Sequence, residues 1–366
     1  MKKLIFIFLG ALFLLSCSRN NDNVELKPVN DNSSNGRNII FMIGDGMGLA
    51  QISAARTVNG DELNILRCKH IGLVSTRAAD KYVTDSGASG TAYSCGEKVN
   101  FYTLGIDTEG NPLTNIFEII SPLGFSTGLI TTDRITGATP AAFYAHQPDR
   151  FKFELIALDI LHKDIDFFAG GGRDNFDNRS DSLNLIDSLT AEKYQVVTNL
   201  SGIEGDKKVA ALLYAGEPPK MSENRGDMLS SALTVALNRL SRSEKGFFIM
   251  AEGAQIDWAG HDNDQEYLLK EMADFDKAVG VALDFAQTDG NTLVVILADH
   301  ETGGYALVDG DAASNTVVGE FVSNQHTGIM VPVFAYGPGA ENFTGTYENN
   351  EVFYKFLNFL GVKKNN

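Results

Sequence analysis

The chain has 366 residues, 43% of them hydrophobic, with 36 glycines and a formal net charge of −17. That size and apolar content suit a globular α/β protein with many tight turns, and the acidic balance argues against a nucleic-acid-binding protein, whose surface must be basic. An acidic protein that handles an anion needs local positive charge, and bound metal ions are one source of it.

Lys2 and Lys3 precede an apolar run, Leu4 to Leu15, that is too short to span a bilayer and reads as an export signal. It ends in Leu14-Leu15-Ser16-Cys17, which resembles a bacterial lipoprotein cleavage box. The expectation is a signal peptide over 1–16, a polar tether over 17–37 and one catalytic domain over 38–362. The protein would then be exported and either periplasmic or held at the outer membrane through lipid on Cys17; a soluble secreted protein cleaved nearby is the alternative. Two further cysteines, Cys68 and Cys95, could form one disulfide in such a compartment, or remain buried thiols.

From residue 38 onward, apolar runs alternate with helical patterns. Asn38 to Ile43 reads as a buried strand that opens into Gly44-Asp45-Gly46-Met47-Gly48, and Ile71 to Ser75 as a second that leads towards Ser86. Asp85 and Ser86 precede small residues suited to a tightly packed helix start, where backbone N–H groups attract an anion. Ser126 to Thr132 predicts a third strand, followed by a helix with Pro140 in its first turn that runs past Tyr144 and His146 towards Arg150. Asp166–Ala169 and Lys208–Tyr214 read as strands, Ser180–Tyr194 and Ser222–Arg242 as helices. Lys245 to Ala251 and Thr292 to Leu297 are further buried strands, with a mostly helical stretch over 262–286 between them. Thr316–Val322 reads as an edge strand, Ile329–Tyr336 as a strand and Asn350–Leu360 as a closing helix. The pattern predicts an α/β fold with a mainly parallel central sheet.

Polar groups gather where these strands end: Asp45, Ser86, Thr139, Glu252, Asp257 with His261, Asp299 with His300, and His326. In open α/β sheets ligands bind at that edge. Asp257 and His261 are four residues apart, so one helical turn places both on the same side, a spacing suited to sharing a metal. Carboxylates mixed with imidazoles favour zinc, whereas the all-oxygen group Asp45, Thr139 and Glu252 favours magnesium. His70, His146 and His162 read as structural or surface residues.

Asp45-Gly46-Met47-Gly48, Thr84-Asp85-Ser86, Thr139-Pro140-Ala141-Ala142 with Arg150 eleven residues on, Glu252-Gly253-Ala254 with Asp257 and His261, Ala298-Asp299-His300 and His326-Thr327-Gly328 occur in this order. With them the chain resembles the alkaline phosphatase family over nearly all of 38–361. The resemblance implies a central sheet with helices on both faces and hydrolysis of small phosphomonoesters through a phosphoserine on Ser86, releasing inorganic phosphate. It implies two Zn2+ and one Mg2+. One zinc would be held by Asp257, His261 and His326, the second by Asp45, Asp299 and His300 beside Ser86, and magnesium by Asp45, Thr139 and Glu252. Arg150 would clamp the phosphate, with Asp85 and Trp258 close to the substrate. Phosphate scavenging is the role this suggests.

Gly137 and Trp258 depart from the pattern of many members. Glycine at 137 removes a side chain from the magnesium surroundings, so a loosely held magnesium is expected, tightened by Gly137→Asp if the new carboxylate fits. The short span of about 25 residues between His300 and His326 leaves no room for a large dimerisation insertion, so a homodimer stays open. A sulfatase would need Pro and Arg shortly after its nucleophile, which Ser86-Gly87-Ala88-Ser89-Gly90 lacks. A phosphodiesterase of the same superfamily would typically lack Thr139, Glu252 and Arg150. An inactive metal- or phosphate-binding lipoprotein is the reading from another functional class.

Overall fold

Seven consecutive buried residues, Asn-Ile-Ile-Phe-Met-Ile-Gly, form the central strand β1 (Asn38–Gly44). It carries no polar face because the sheet around it is covered on both sides. The computed structural model describes residues 36–161, 163–311 and 313–364. The export segment, Cys17, the tether as far as residue 35 and His162 lie outside the described residues.

The remaining strands follow in chain order. β2 (His70–Ser75), β3 (Ser126–Arg134), β4 (Phe167–Gly171), β5 (Tyr194–Val197) and β6 (Lys208–Leu212) come first. β7 (Phe247–Gly253), β8 (Thr292–Leu297), β9 (Glu301–Thr302), β10 (Tyr305–Asp311) and β11 (Thr316–Phe321) come next, then β12 (His326–Thr327), β13 (Val331–Tyr336) and β14 (Gly345–Glu348). Ten of them make one sheet in the order β14-β2-β13-β8-β1-β7-β3-β4-β6-β5, while β10 pairs with β11 and β12 with β9 outside it. All neighbours in the large sheet are parallel except β13, which runs antiparallel to both β2 and β8.

Adjacent residues on β7 show the two faces. Phe248 meets Phe41, Phe117 and Phe356 on one side, the last from the closing helix Glu351–Leu360. Phe247 meets Phe285 of the long helix Gln265–Asp289 on the other. The fold is therefore mixed α/β, with helices packed against a large central sheet. Among the described residues no helix is long and apolar enough to cross a membrane.

Several elements differ from the sequence-based expectation. The helix expected from Pro140 to Arg150 is only Ala138–Ala141. Beyond it Gln147 pairs with Leu104 through N–H···O bonds of 2.9 Å each way, and Arg150 donates its N–H to the Tyr102 carbonyl at 3.0 Å, so the 102–104 loop takes the backbone groups that a helix would need. The helix expected over Ser180–Tyr194 is Leu185–Ala191, capped by Asn184; Lys193 turns with φ of 70°, and Tyr194 opens β5. The next long helix starts at Met228 rather than Ser222 because Asn224 and Gly226, at φ of 67° and 66°, interrupt it. Residues expected as an edge strand form β11, which pairs with β10 and not with the large sheet. Cys68 and Cys95 are both free and buried, so the disulfide alternative does not hold.

One buried ion cluster ties the segment before Met228 to the long helix. Arg225 donates to Glu271 and, at 2.9 Å, to Asp274. All three side chains are almost fully inaccessible. Removing the cation leaves two buried carboxylates uncompensated, an effect of about 3–5 kcal/mol. Arg225→Ala should therefore lower the urea midpoint of the folded protein substantially, as followed by circular dichroism; a midpoint within error of the natural protein would show that the cluster carries no stability.

Candidate active site

The register of four neighbouring strands sets one row of residues at the sheet's C-terminal edge. Leu297 of β8 pairs with Ile43 of β1, Ile43 with Glu252 of β7, and Glu252 with Thr131 of β3. Immediately past this row the chain turns, and Asp45 and Asp299 sit on the first turns. Gly46 makes the crossing possible. Its φ is 74°, and a Cβ there would lie 2.8 Å from both the Asp257 Cα and the Thr302 hydroxyl. Its N–H donates to Asp299 Oδ1 at 3.2 Å, and its carbonyl accepts from Thr302 N–H at 3.2 Å.

The carboxylates are buried and crowd one another. Asp45 Oδ1 and Asp299 Oδ2 are buried without a hydrogen-bond partner. Burial and the neighbouring Asp299 charge push the Asp45 carboxyl well above the usual range. Burial and then Asp257 push Asp299 up to about 6, and burial with Asp133 pushes Glu252 up to about 8. Polar atoms desolvated with no partner are costly, and like charges in low dielectric are more so.

Three imidazoles complete the cluster. Asp257 and His261 lie on one face of the helix Gln255–Asp262, with His261 Nε2 at 3.3 Å from Asp257 Oδ2. β13 runs antiparallel, so its start lies at the same edge as the other strands' ends, and the chain just before it brings His326 Nε2 to 3.4 Å from Asp257 Oδ1. His261 Nδ1 lies 2.7 Å from the Asn324 carbonyl and His326 Nδ1 lies 2.9 Å from that of Thr84. A carbonyl only accepts, so each Nδ1 carries a proton, and once the ring gives up its second proton a bare Nε2 lone pair faces inward. Those two Nε2 atoms are 3.2 Å apart. Two lone pairs and a carboxylate converging on one point fit a divalent cation, and the backbone bonds behind the rings are the arrangement that fixes metal-binding histidines. His300 stacks on His326 at 3.5 Å between ring centroids, and its Nε2 is 3.2 Å from Asp299 Oδ2 and 3.5 Å from Asp45 Oδ1. Two groups thus have ligand atoms all within 4.8 Å of one another: Asp257, His300 and His326, and Asp45, Asp299 and His300.

Ser86 opens the helix Ser86–Cys95, and its Oγ is 3.4 Å from His300 Nε2. Asp85 caps that helix by accepting from the N–H groups of Gly87 and Ala88, at 3.0 and 3.3 Å. Its Oδ2 also accepts from Arg150 at 2.8 Å, and although burial works against the Arg150 charge, Asp85 together with Asp45 and Asp257 raises it overall. Thr139 is buried with its hydroxyl 3.5 Å from Asp45 Oδ2. Trp258 is half-buried and lines the cavity over Ser86. Every residue singled out from the sequence therefore reaches this one edge, while His146 bonds to Gly105 and Glu118 away from it.

Three contributors went unnoticed in the sequence. Thr131 donates to Glu252. Thr302 donates to Asp257 and lies 3.2 Å from His300 Nδ1. Asp133 fills the space beside Gly137, where a Cβ would come 2.2 Å from its Oδ2. Thr131 and Thr302 stand at strand ends beside residues already marked, which is the signal that could have found them.

The sequence model of the family described as alkaline phosphatase matches residues 36–320. The chain is 31% identical to Alkaline phosphatase 3 of Bacillus subtilis, over 86% of this chain and 87% of that one. The solved alkaline phosphatase of the Antarctic bacterium TAB5 is 40% identical, with a TM-score of 0.86 over 90% of this chain and 99% of that one. A His-to-Asp variant of the TAB5 enzyme has Mg bound in its M3 site. Alkaline phosphatase of Thermus thermophilus, at 23% identity and a TM-score of 0.85, covers 97% of both chains and has the same fold.

The proton balance of the histidines gives a measurable consequence. Donating to the Asp257 carboxylate raises His261 to about 9, so without metal this imidazole holds its proton through neutral pH. That interaction stabilises the metal-free fold fully below the ordinary imidazole value and is lost as pH rises through about 9. A metal held by His261 would have to displace the proton, so apparent zinc affinity should then rise with pH up to about 9, by about tenfold per unit for each proton displaced. Calorimetric zinc titration of chelator-treated protein at two pH values two units apart below 9 checks this; equal affinities would contradict it.

Proposed function

The chain belongs to the alkaline phosphatase family and is a phosphomonoesterase of that type, and on that premise we propose that it hydrolyses small phosphate monoesters through a phosphoserine on Ser86. The observation that carries this reading is the placement of Ser86 Oγ, 3.4 Å from His300 Nε2, beside two buried carboxylate oxygens without partners. Asp45, Asp299 and His300 would hold one zinc, Asp257, His261 and His326 another, and Asp45, Thr139 and Glu252 a magnesium. When bound, these ions supply Lewis acidity that makes a serine hydroxyl nucleophilic and stabilises charge on the ester oxygens.

The chain's own groups do the rest. Asp85 holds Arg150 in place through a 2.8 Å bond, leaving the other guanidinium donors to take phosphate oxygens in a bidentate grip. The start of the helix at Ser86 adds a favourable field for the dianion. Ser86 Oγ bonds to phosphorus as the bond to the ester oxygen breaks and the alcohol leaves. Water then attacks phosphoserine, restoring Ser86 and releasing inorganic phosphate. Export on residues 1–16, anchoring through Cys17 and phosphate scavenging belong to the same proposal, carried by the sequence pattern and the reaction alone.

Assays with p-nitrophenyl phosphate, bis-p-nitrophenyl phosphate and p-nitrophenyl sulfate, with and without chelator, test the reading. Chelator-sensitive hydrolysis of the monoester, with the other two slower by orders of magnitude, is expected. Ser86→Ala should keep its metals, lose most activity and yield no phosphoenzyme; labelled phosphate still trapped on the variant would remove Ser86 from the role.

Asp133 changes the expectation for Gly137. The φ of −60° at Gly137 is open to any residue, but a Cβ there would come 2.2 Å from Asp133 Oδ2 and 3.0 Å from the Arg134 carbonyl, so a side chain at 137 must displace the Asp133 carboxylate. The Asp133 charge acts on Glu252, whose carboxyl it helps burial to raise, so the Asp133 carboxylate lies at the corner where a side chain at 137 would have acted. Gly137→Asp should therefore weaken magnesium binding rather than tighten it, and Asp133→Asn should weaken it by roughly 10–100-fold. Equilibrium dialysis with metal analysis checks both; tighter magnesium in Gly137→Asp would restore the simpler expectation from sequence.

A further inference from the structure

A cavity of about 740 Å³ opens over Ser86, with Arg150 and His326 also in its wall. That is far more room than a phosphate group fills, and it falls among sites that enclose a whole small molecule. Five aromatic rings, Tyr82, Phe101, Tyr102, Phe151 and Trp258, line the rest of the wall together with smaller and polar side chains. Three of them stand open to solvent, Tyr82 at 78%, Phe151 at 55% and Tyr102 at 43%. Exposed aromatic surface beside convergent polar groups marks a binding surface.

Three of these rings pack on one another. Phe101 and Tyr102 lie 4.1 Å apart between centroids, and Phe151 meets Tyr102 edge-on at 5.3 Å. The Arg150 guanidinium carbon is 5.6 Å from the centre of the Phe151 ring, so the platform continues directly from the phosphate clamp. Tyr102 has a φ of 69°, a left-handed conformation that a bulky residue keeps only where its surroundings hold it. Here its N–H donates to Asp85 Oδ1 at 2.9 Å and its carbonyl accepts from the Arg150 N–H at 3.0 Å. The two residues that frame Ser86 thereby also fix this ring. Tyr82 rests against Gly328, where a Cβ would come within 2.5 Å of the ring, so backbone two residues from His326 places it.

Resting on the phosphomonoesterase reading, we infer that this vestibule selects phosphomonoesters whose leaving group carries a planar aromatic ring. The phosphate sits at Ser86 and Arg150 while the ring packs against Tyr102 and Phe151 or against Tyr82. Both a nucleoside base and a short aryl group offer the required π-face, and stacking on aromatic side chains tolerates many ring types.

A nucleoside 5′-monophosphate and ribose 5-phosphate leave from the same primary oxygen and differ by the base, so the ratio of their kcat/KM isolates the ring. Adenosine 5′-monophosphate should be preferred by about tenfold or more, and the preference should shrink several-fold in Phe151→Ala or Tyr82→Ala. Competitive inhibition by phenylphosphonate against methylphosphonate probes short aryl groups without any leaving-group effect. A ring preference in the nucleotide pair assigns the vestibule to nucleotides, and one in the phosphonate pair alone assigns it to aryl esters. No preference in either pair, or one untouched by both substitutions, overturns the inference while leaving the phosphomonoesterase reading intact. Failure to hydrolyse either sugar phosphate or nucleotide would instead sink that reading. Each comparison is a ratio within one variant, so a general loss of activity cancels, and Tyr82 is exposed enough for its removal to spare the fold.

Discussion

Repulsion among buried carboxylates governs this end of the molecule. Asp45, Asp257, Glu252 and Asp299 are all nearly inaccessible, and two of their oxygens have no hydrogen-bond partner. Placing such groups together in low dielectric opposes folding unless cations offset it. Where cations do not offset it, protons and neighbouring donors must. Burial and neighbouring charge raise the Asp45, Asp299 and Glu252 carboxyls, while His261 and His326 hold Asp257 well below its usual value against burial. Binding of divalent ions would remove the conflict, which makes metal affinity and fold stability two views of one free energy.

The sheet topology supplies this cluster from opposite chain directions. β1 and β8 deliver Asp45 and Asp299 just beyond their ends, and β7 delivers Glu252 in its last turn of pleat. β13 runs the other way, so the chain leading into it, rather than out of it, reaches the same edge with His326. An all-parallel sheet at that position would carry the start of the strand to the far side. Gly46 then closes the arrangement, bringing its own N–H to Asp299 and its carbonyl to Thr302 where a side chain would collide with Asp257.

The central strands were legible because buried parallel strands are written as unbroken apolar runs, and Ile40, Phe248 and Val294 pack as those runs suggest. The polar residues at their ends were legible for the same reason, since a carboxylate next to glycine after an apolar run has few structural uses. Short elements were not. β14 has four residues, three of them Gly, Thr and Glu, and it exists only because β2 offers an edge. The helix before Arg150 was lost to the 102–104 loop, a long-range competition that no local pattern records. Asp133 was hidden because its role depends on the space beside Gly137, which is a property of two residues together.

Asp85 shows how far a correct local reading can fall short. The sequence reads Asp85 and Ser86 as standing before a helix start, and Asp85 does cap that helix by accepting from Gly87 and Ala88. The same buried carboxylate also accepts from the Tyr102 N–H and the Arg150 guanidinium, so four donors from three segments meet on two oxygens. An asparagine would cap the helix almost as well. It has one acceptor oxygen and no charge, however, so it could not also hold Arg150 and the strained Tyr102. The need for aspartate at this cap therefore comes from the neighbours of Ser86 and not from the helix. That single side chain ties the helix start, the Arg150 guanidinium and the Tyr102 backbone to one another.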